Sequence, residues 1–208
     1  IKTLKKQFLM FKKISLILLV GILFSCKNET STKGNKEEDK IISTSKTDYT
    51  KYVNPFIGTS KMGHVYPGAT APFGMVQLSP QTNFEVMFDD KGNYNAETYE
   101  YSAGYQHRDS TIIGFAHTNF SGTGHADLGD FLVMPTTGNL VLDPLETKEN
   151  KKGFYSTFSH NKEEASPGYY KVDLDSYGIK AELTVSERVG FHQYTFPKSD
   201  DAHVILDL

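Results

Sequence analysis

Between positions 169 and 185 apolar and polar residues alternate with a period of two. Tyr170, Val172 and Leu174 are separated by Lys171 and Asp173, and after "DSYG" the residues Ile179, Ala181, Leu183 and Val185 are separated by Lys180, Glu182 and Thr184. Such alternation puts every second side chain on one face of an extended chain. It predicts two half-buried antiparallel strands joined by a tight turn. Short apolar runs at 189–196 and 203–208 predict further strands. Upstream, "MVQL" at 75–78 reads as a short strand closed by Ser79 and Pro80, and "DFLVMP" as another ended by Pro135. "STIIGFAHTNF" has a β-branched start, and its Gly114 marks either a bulge or a close backbone approach. No amphipathic helical period is evident between 49 and 208, so this body is predicted to be all-β, an antiparallel β-sandwich.

The first part of the chain follows a different pattern. From Met10, "MFKKISLILLVGILFSC" has two lysines, an apolar run over 14–24, and then Ser25 and Cys26. That is the layout of a secretory signal peptide, and the run is shorter than the roughly 20 residues a spanning helix needs. The "LFSC" ending resembles a bacterial lipobox, which makes Cys26 the expected lipidated residue and the expected membrane anchor, periplasmic or at the cell surface. Residues 1–9 read as an extension of the frame upstream of a true start at Met10. Residues 27–48 are rich in Lys, Glu, Ser and Thr and carry too little apolar surface to fold, so they are predicted to be a flexible tether. The expected organisation is therefore signal peptide at 1–26, tether at 27–48 and sandwich at 49–208. The last residues, "HVILDL", stop inside an apolar strand pattern, and the chain is read as a piece of a longer protein.

Composition narrows the function. Removing the residues before Cys26 takes away five lysines and no acids, which moves the formal charge from −3 to −8. An acidic body argues against nucleic acid, whose binding depends on phosphate neutralisation by Lys and Arg. Cys26 is the only cysteine, so no internal disulfide can form.

The chemistry concentrates in "GFAHTNFSGTGHADLGDF" at 114–131. A zinc site there would use His107, His117 and His125 with Asp127 or Asp130. No pair of these histidines has the spacing of a recognised metal motif, and no metal ligand is assigned in this chain. A phosphate loop would need a lysine after the glycines and a following helix. A serine hydrolase would need the Gly-x-Ser-x-Gly elbow around Ser121. Neither pattern is present. Two readings remain: a Gly-rich loop packed by its own polar side chains, or a carbohydrate site in which short polar groups and carboxylates match sugar hydroxyls and glycines let the backbone approach. The "GHVYPGATAPFG" segment frames His64 in the same way, as a structural histidine or as an imidazole presented by a rigid loop.

Taken in order, "YVNPFIGT", "GHVYPGATAPFGMVQLSP", "SAGYQHRDSTIIGFAHTNFSGTGHADLGDFLVMPTTG", "FSHNKEEASPGYYKVDL" and "GIKAELTVSERVGFHQYTFP" resemble the N-terminal part of glycoside hydrolase family 92, the bacterial exo-α-mannosidases. The resemblance runs from about residue 51 to 208. It implies an N-terminal β-sandwich followed by an (α/α)6 barrel absent from this chain. It also implies a calcium-dependent, inverting hydrolysis of terminal α-mannose from mannose-containing glycans. The acid, base and calcium ligands are expected in that barrel, so no catalytic residue is assigned here and the piece alone is expected to be inactive. Exposed apolar surface is expected where the barrel docks. His64, His117, Ser121, Gly122, Thr123, Gly124, Asp127 and Asp130 are the candidates for sugar recognition.

The chain departs from the family pattern in two places. Where many relatives read "SHTHLSGTG" it has "AHTNFSGTG", with Asn119 in place of a histidine. It also contains no tryptophan, so Tyr99 or Tyr101 is the candidate platform for the leaving-group sugar. The rival readings are a non-catalytic glycan-binding surface lipoprotein and a purely structural surface module.

Overall fold

The period-two segments become neighbouring strands of one sheet in the computed structural model, which describes residues 47–82, 88–89, 91–122, 128–144 and 152–208. The expected signal peptide and nearly all of the expected tether lie outside the described residues. In β8 (Tyr169–Leu174) and β9 (Ile179–Val185) the apolar set alternates inward, with Tyr170, Val172, Leu174, Ile179, Ala181 and Leu183 buried. Their register pairs Leu174 with Ile179 across the "DSYG" turn. The Tyr177 N–H donates to the Leu174 carbonyl at 3.2 Å, and Gly178 takes the positive φ of 64° that the turn requires. With β7 (Glu163–Ser166) and β10 (Gly190–Thr195) these strands form a four-stranded antiparallel sheet in the order β10-β9-β8-β7.

A five-stranded sheet has the order β1-β2-β4-β5-β11. Its strands are β1 (Ala69–Thr70), β2 (Gln77–Gln81), β4 (Gly114–Ala116), β5 (Leu132–Thr137) and β11 (Ala202–Asp207). A short pair, β3 (Thr111–Ile112) with β6 (Ser156–Thr157), lies beside them. Every described strand pair is antiparallel, and the only helical segments among the described residues are short 3₁₀ turns. The β1–β2 end of the larger sheet packs on β8 and β9. Leu78, Phe115 and Met134 meet Tyr170, Val172 and Leu183 in one buried core, giving the expected sandwich.

Two strands run further than the sequence pattern predicts, and both corrections involve proline. β2 begins at Gln77 rather than Met75 and continues through Pro80 to Gln81, while β5 continues through Pro135 to Thr137. Gln77 N–H donates to His117 O and Gln81 O accepts from Ile113 N–H, so the odd positions of β2 face β4. The donorless nitrogen of Pro80 therefore points the other way, to the side where β1 has already ended, since β1 pairs only with Gln77 and Leu78. Likewise Gly138 N–H donates to Asp201 O, which sets the even positions of β5 toward β11 and turns Pro135 toward β4. There β4 pairs only through Phe115 with Val133. Each proline thus costs no ladder bond.

Gly114 resolves as a close approach: a Cβ there would lie 2.7 Å from the Leu132 side chain. Because Leu183 is 1% exposed and sits between the two sheets, Leu183→Ala is expected to destabilise the domain by about 2–5 kcal/mol. The measurement is hydrogen-exchange protection of the β8 and β9 amides.

Candidate functional site

The described residues among those singled out from sequence for sugar recognition lie in two loops, one preceding β1 and one between β4 and β5. The first, 53–68, includes a 3₁₀ turn, Lys61–Gly63, flanked by left-handed residues: Lys61 has φ 53° and His64 has φ 50°. Such backbone is uncommon for non-glycine residues and persists only where the surroundings over-determine it. Gln106, 1% exposed, supplies that constraint. Its Oε1 accepts the Lys61 N–H at 2.7 Å and its Nε2 donates to the Lys61 carbonyl at 2.8 Å. A Cβ at Gly63 would fall 2.1 Å from the Gly58 carbonyl oxygen, so the loop closes on itself through glycine.

The second loop follows β4 and carries His117, Asn119, Ser121, Gly122 and Asp130. Asn119 is buried and fastens it to β2. Its Nδ2 donates to the Gln77 carbonyl at 2.8 Å, and its Oδ1 accepts from Gln81 Nε2 at 2.6 Å. Thr118 closes the far side, donating from Oγ1 to Asp130 Oδ2 at 3.2 Å and accepting the Asp130 N–H at 3.0 Å. The loops join where Gly122 N–H donates to the His64 carbonyl at 2.8 Å, a geometry in which Gly122 has φ 98°.

The structure therefore brings His64, Ser121 and Gly122 together. Ser121 and Gly122 are exposed, whereas the His64 imidazole, 4% exposed, packs edge-on against Tyr99, and its Nδ1 has no hydrogen-bond partner among the described residues. Tyr66 hydrogen-bonds Thr70 at 3.1 Å and also meets Ser121, while burial pushes its phenol pKa up. Asp130 is exposed at the loop's return. Thr123, Gly124, His125 and Asp127 lie outside the described residues. Of the two tyrosines, Tyr101 donates to Asp109 at 3.1 Å and carries the Arg108 guanidinium over its ring, whereas Tyr99 lies beside His64.

His117 makes its contacts elsewhere, in a relay that sequence reasoning missed. Its Nδ1 lies 2.7 Å from the Phe131 carbonyl, which can only accept, so Nδ1 carries the proton. Its Nε2 then accepts from His192 Nε2–H at 3.0 Å, and His192 Nδ1 accepts from the Tyr194 hydroxyl at 2.6 Å. In this arrangement His192 is neutral, donating from Nε2 and accepting at Nδ1. Burial and the neighbouring His117 lower the His192 pKa to about 4. The signal was present in β10, where Gly190, His192 and Tyr194 alternate with exposed Phe191, Gln193 and Thr195. Beside this relay runs an open groove of about 720 Å³, lined by Met75, Val76, Phe131, Val133 and Leu206 with His117, Thr118 and Arg188.

Among the described residues the one cluster with metal-ligating character is not the set weighed and set aside for the Gly-rich loop. His107 meets His160 and Glu163, and His117 is engaged with His192.

The architecture is that of an antiparallel β-sandwich, and comparison with known proteins gives the family. Residues 52–208 match the glycosyl hydrolase family 92 N-terminal domain, and the chain belongs to that family. It is similar to a family GH92 α-mannosidase of Bacteroides thetaiotaomicron solved with mannoimidazole, at 44% identity and a TM-score of 0.66 over 76% of this chain and 19% of that one. A GH92 inverting mannosidase from the same organism is 26% identical, with a TM-score of 0.58 over 78% of this chain and 20% of that one. An uncharacterized secreted glycosidase of Arthroderma benhamiae is 30% identical over 154 residues, covering 74% of this chain and 18% of its own length. The chain thus spans about a fifth of the relatives it matches.

The relay carries a pH dependence. With a folded pKa near 4 against an ordinary 6.5, the native state holds His192 neutral while the unfolded chain takes up a proton. The stabilisation from this group is complete above pH 6.5 and declines as the pH falls toward 4. In His192→Gln the stability deficit relative to wild type is expected to shrink over that interval, as measured by thermal unfolding at pH 4 to 7.5.

Proposed function

We propose that this chain is the N-terminal sandwich domain of an exported, lipid-anchored exo-α-mannosidase that releases terminal mannose from glycans with inversion and in dependence on calcium. The observation that carries the proposal is the 44% identity to an α-mannosidase across three-quarters of the chain, in a chain that belongs to the same family. Export agrees with the signal-like segment ending at Cys26 and with a relative described as secreted.

The division of labour follows from chemistry. Inversion needs one carboxylic acid to protonate the leaving oxygen and a carboxylate on the opposite face to activate water, about 6.5–9.5 Å apart. The described loop carboxylate, Asp130, is engaged by the Thr118 hydroxyl, so both catalytic groups are assigned to the remainder of the protein. Calcium takes six to eight hard oxygen ligands. The His107, His160 and Glu163 cluster, with two imidazoles, does not fit that demand, and calcium is likewise assigned to the remainder. When bound there, it supplies positive charge to sugar oxygens.

The sandwich contributes recognition. Ser121 and Gly122 present a hydroxyl and a backbone edge at a height set by the His64 carbonyl, and Thr123, Gly124 and Asp127 are assigned to the same recognition role from the sequence. Tyr99 offers an aromatic edge beside it, and Asp130 and His117 hold the loop's return.

The full-length protein is expected to release β-configured mannose from α-mannobiosides, followed by NMR of the fresh product, with activity lost in chelator and restored by CaCl₂. Failure of a folded full-length protein to do so would leave the glycan-binding reading. Ser121→Ala is expected to lower kcat/KM by about 2- to 10-fold, the loss of one neutral hydrogen bond. Cys26→Ser is expected to abolish incorporation of labelled palmitate and release the protein from membranes.

A further inference from the structure

Neither the Gly-rich loop nor the groove uses His107, His160 and Glu163. His107 follows the buried Gln106, and its N–H is held by the Thr59 carbonyl at 2.8 Å. His160 opens a 3₁₀ turn, His160–Lys162, and Glu163 begins β7, so a three-residue spacing brings these two side chains together. Each of the three offers a ligand atom within 4.8 Å of the others. The rings of His107 and His160 lie with centroids 4.0 Å apart, tilted by 32°.

Glu163 is the unusual member, because its side chain is only 1% exposed. A buried carboxylate needs hydrogen bonds and a compensating charge. The hydrogen bonds are present: Tyr170 donates at 2.6 Å, and the Tyr105 hydroxyl lies 3.0 Å from both oxygens. Among the described residues its only ion-pair partner is His160, whose Nδ1 lies 2.7 Å from Oε2. The Tyr105 hydroxyl also lies 3.3 Å from His107 Nδ1, and its single proton cannot serve both neighbours. With that proton on Glu163, His107 Nδ1 must donate to the phenol oxygen. A tyrosine-bonded carboxylate explains the burial of Glu163. It does not explain two imidazoles brought face to face beside it.

We propose that His107, His160 and Glu163 bind a divalent transition-metal ion of the zinc class, which ties the segment following Gln106 to the start of β7. Two imidazoles and one carboxylate form a recognised zinc donor set, with water or the Tyr105 hydroxyl available for the fourth position. The same donors disfavour calcium and magnesium, which take oxygen. In binding, the metal takes the place of the proton between His160 Nδ1 and Glu163 Oε2; that proton is released to water, and His160 coordinates as a neutral imidazole with its one proton on Nε2. A tetrahedral metal with bonds near 2.0–2.2 Å needs ligand atoms roughly 3.3–3.6 Å apart, so the pair, now 2.7 Å apart, opens by roughly 0.6–0.9 Å. His107 closes the third position through a ring nitrogen.

The test uses the full-length protein, stripped with chelator and dialysed, then titrated with CoCl₂. The expected result is a visible d–d absorption that saturates at one equivalent, is displaced by ZnCl₂ and is left in place by excess CaCl₂. His107→Gln and His160→Gln, with unchanged far-UV circular dichroism, are expected to weaken cobalt binding by at least tenfold. The wild-type spectrum needs no variant, so a misfolded substitution cannot decide the outcome. Absence of a stoichiometric cobalt spectrum in wild type, displacement by calcium, or identical spectra in wild type and both variants would overturn the site. None of these readouts depends on mannosidase activity, so this proposal and the enzymatic one can fail separately.

Discussion

Two buried primary amides hold the loop edge of this domain. Gln106 reads both main-chain groups of Lys61, and Asn119 spans from the Gln77 carbonyl to the Gln81 side chain. A primary amide has a donor and an acceptor in one rigid plane, so it satisfies loop backbone that has no strand partner. It also penalises any other loop path, since the same groups left unpaired in the interior would cost about 1–3 kcal/mol each. The positive φ values of Lys61 and His64 are sustained by this arrangement, and the His64 carbonyl is thereby placed to receive Gly122.

The surroundings of Asn119 show what this position does. It is a buried brace between the Gly-rich loop and β2. Ser121 and Gly122, further along, are exposed. The histidine chemistry of the loop's other end is also directed inward. His117 is committed to Phe131 and His192, so it supports the wall of the apolar groove through a chain of hydrogen bonds. Met75, Val204 and Leu206 near that groove are 72%, 58% and 59% exposed.

Legibility differed between sheet and site. β8 and β9 were readable because their alternation is strict and one face is buried, and the four-residue turn left a single register. β2 and β5 were cut short because proline reads as a strand breaker when its orientation is unknown. Which way the missing N–H points depends on where β1 and β4 end, and residues 79–80 and 132–135 do not encode that locally. Ser121 and Gly122 were readable as polar loop residues. The partners that hold them were not, since Gln106 and His64 are separated from their contacts by long stretches of chain.

By itself the sequence determined the all-β class, the faces of the regular strands, the family blocks in order and the position of the Gly-rich loop. These follow from local period and composition, which act over a few neighbouring residues. Only the tertiary structure decided that His64 works through its carbonyl, that His117 pairs with His192, and that His107 meets His160 and Glu163 instead of the histidines of the Gly-rich loop. Those outcomes depend on which strands pair and which loops cross. Pairing is set by burial of the whole core, a property no single segment of the chain contains.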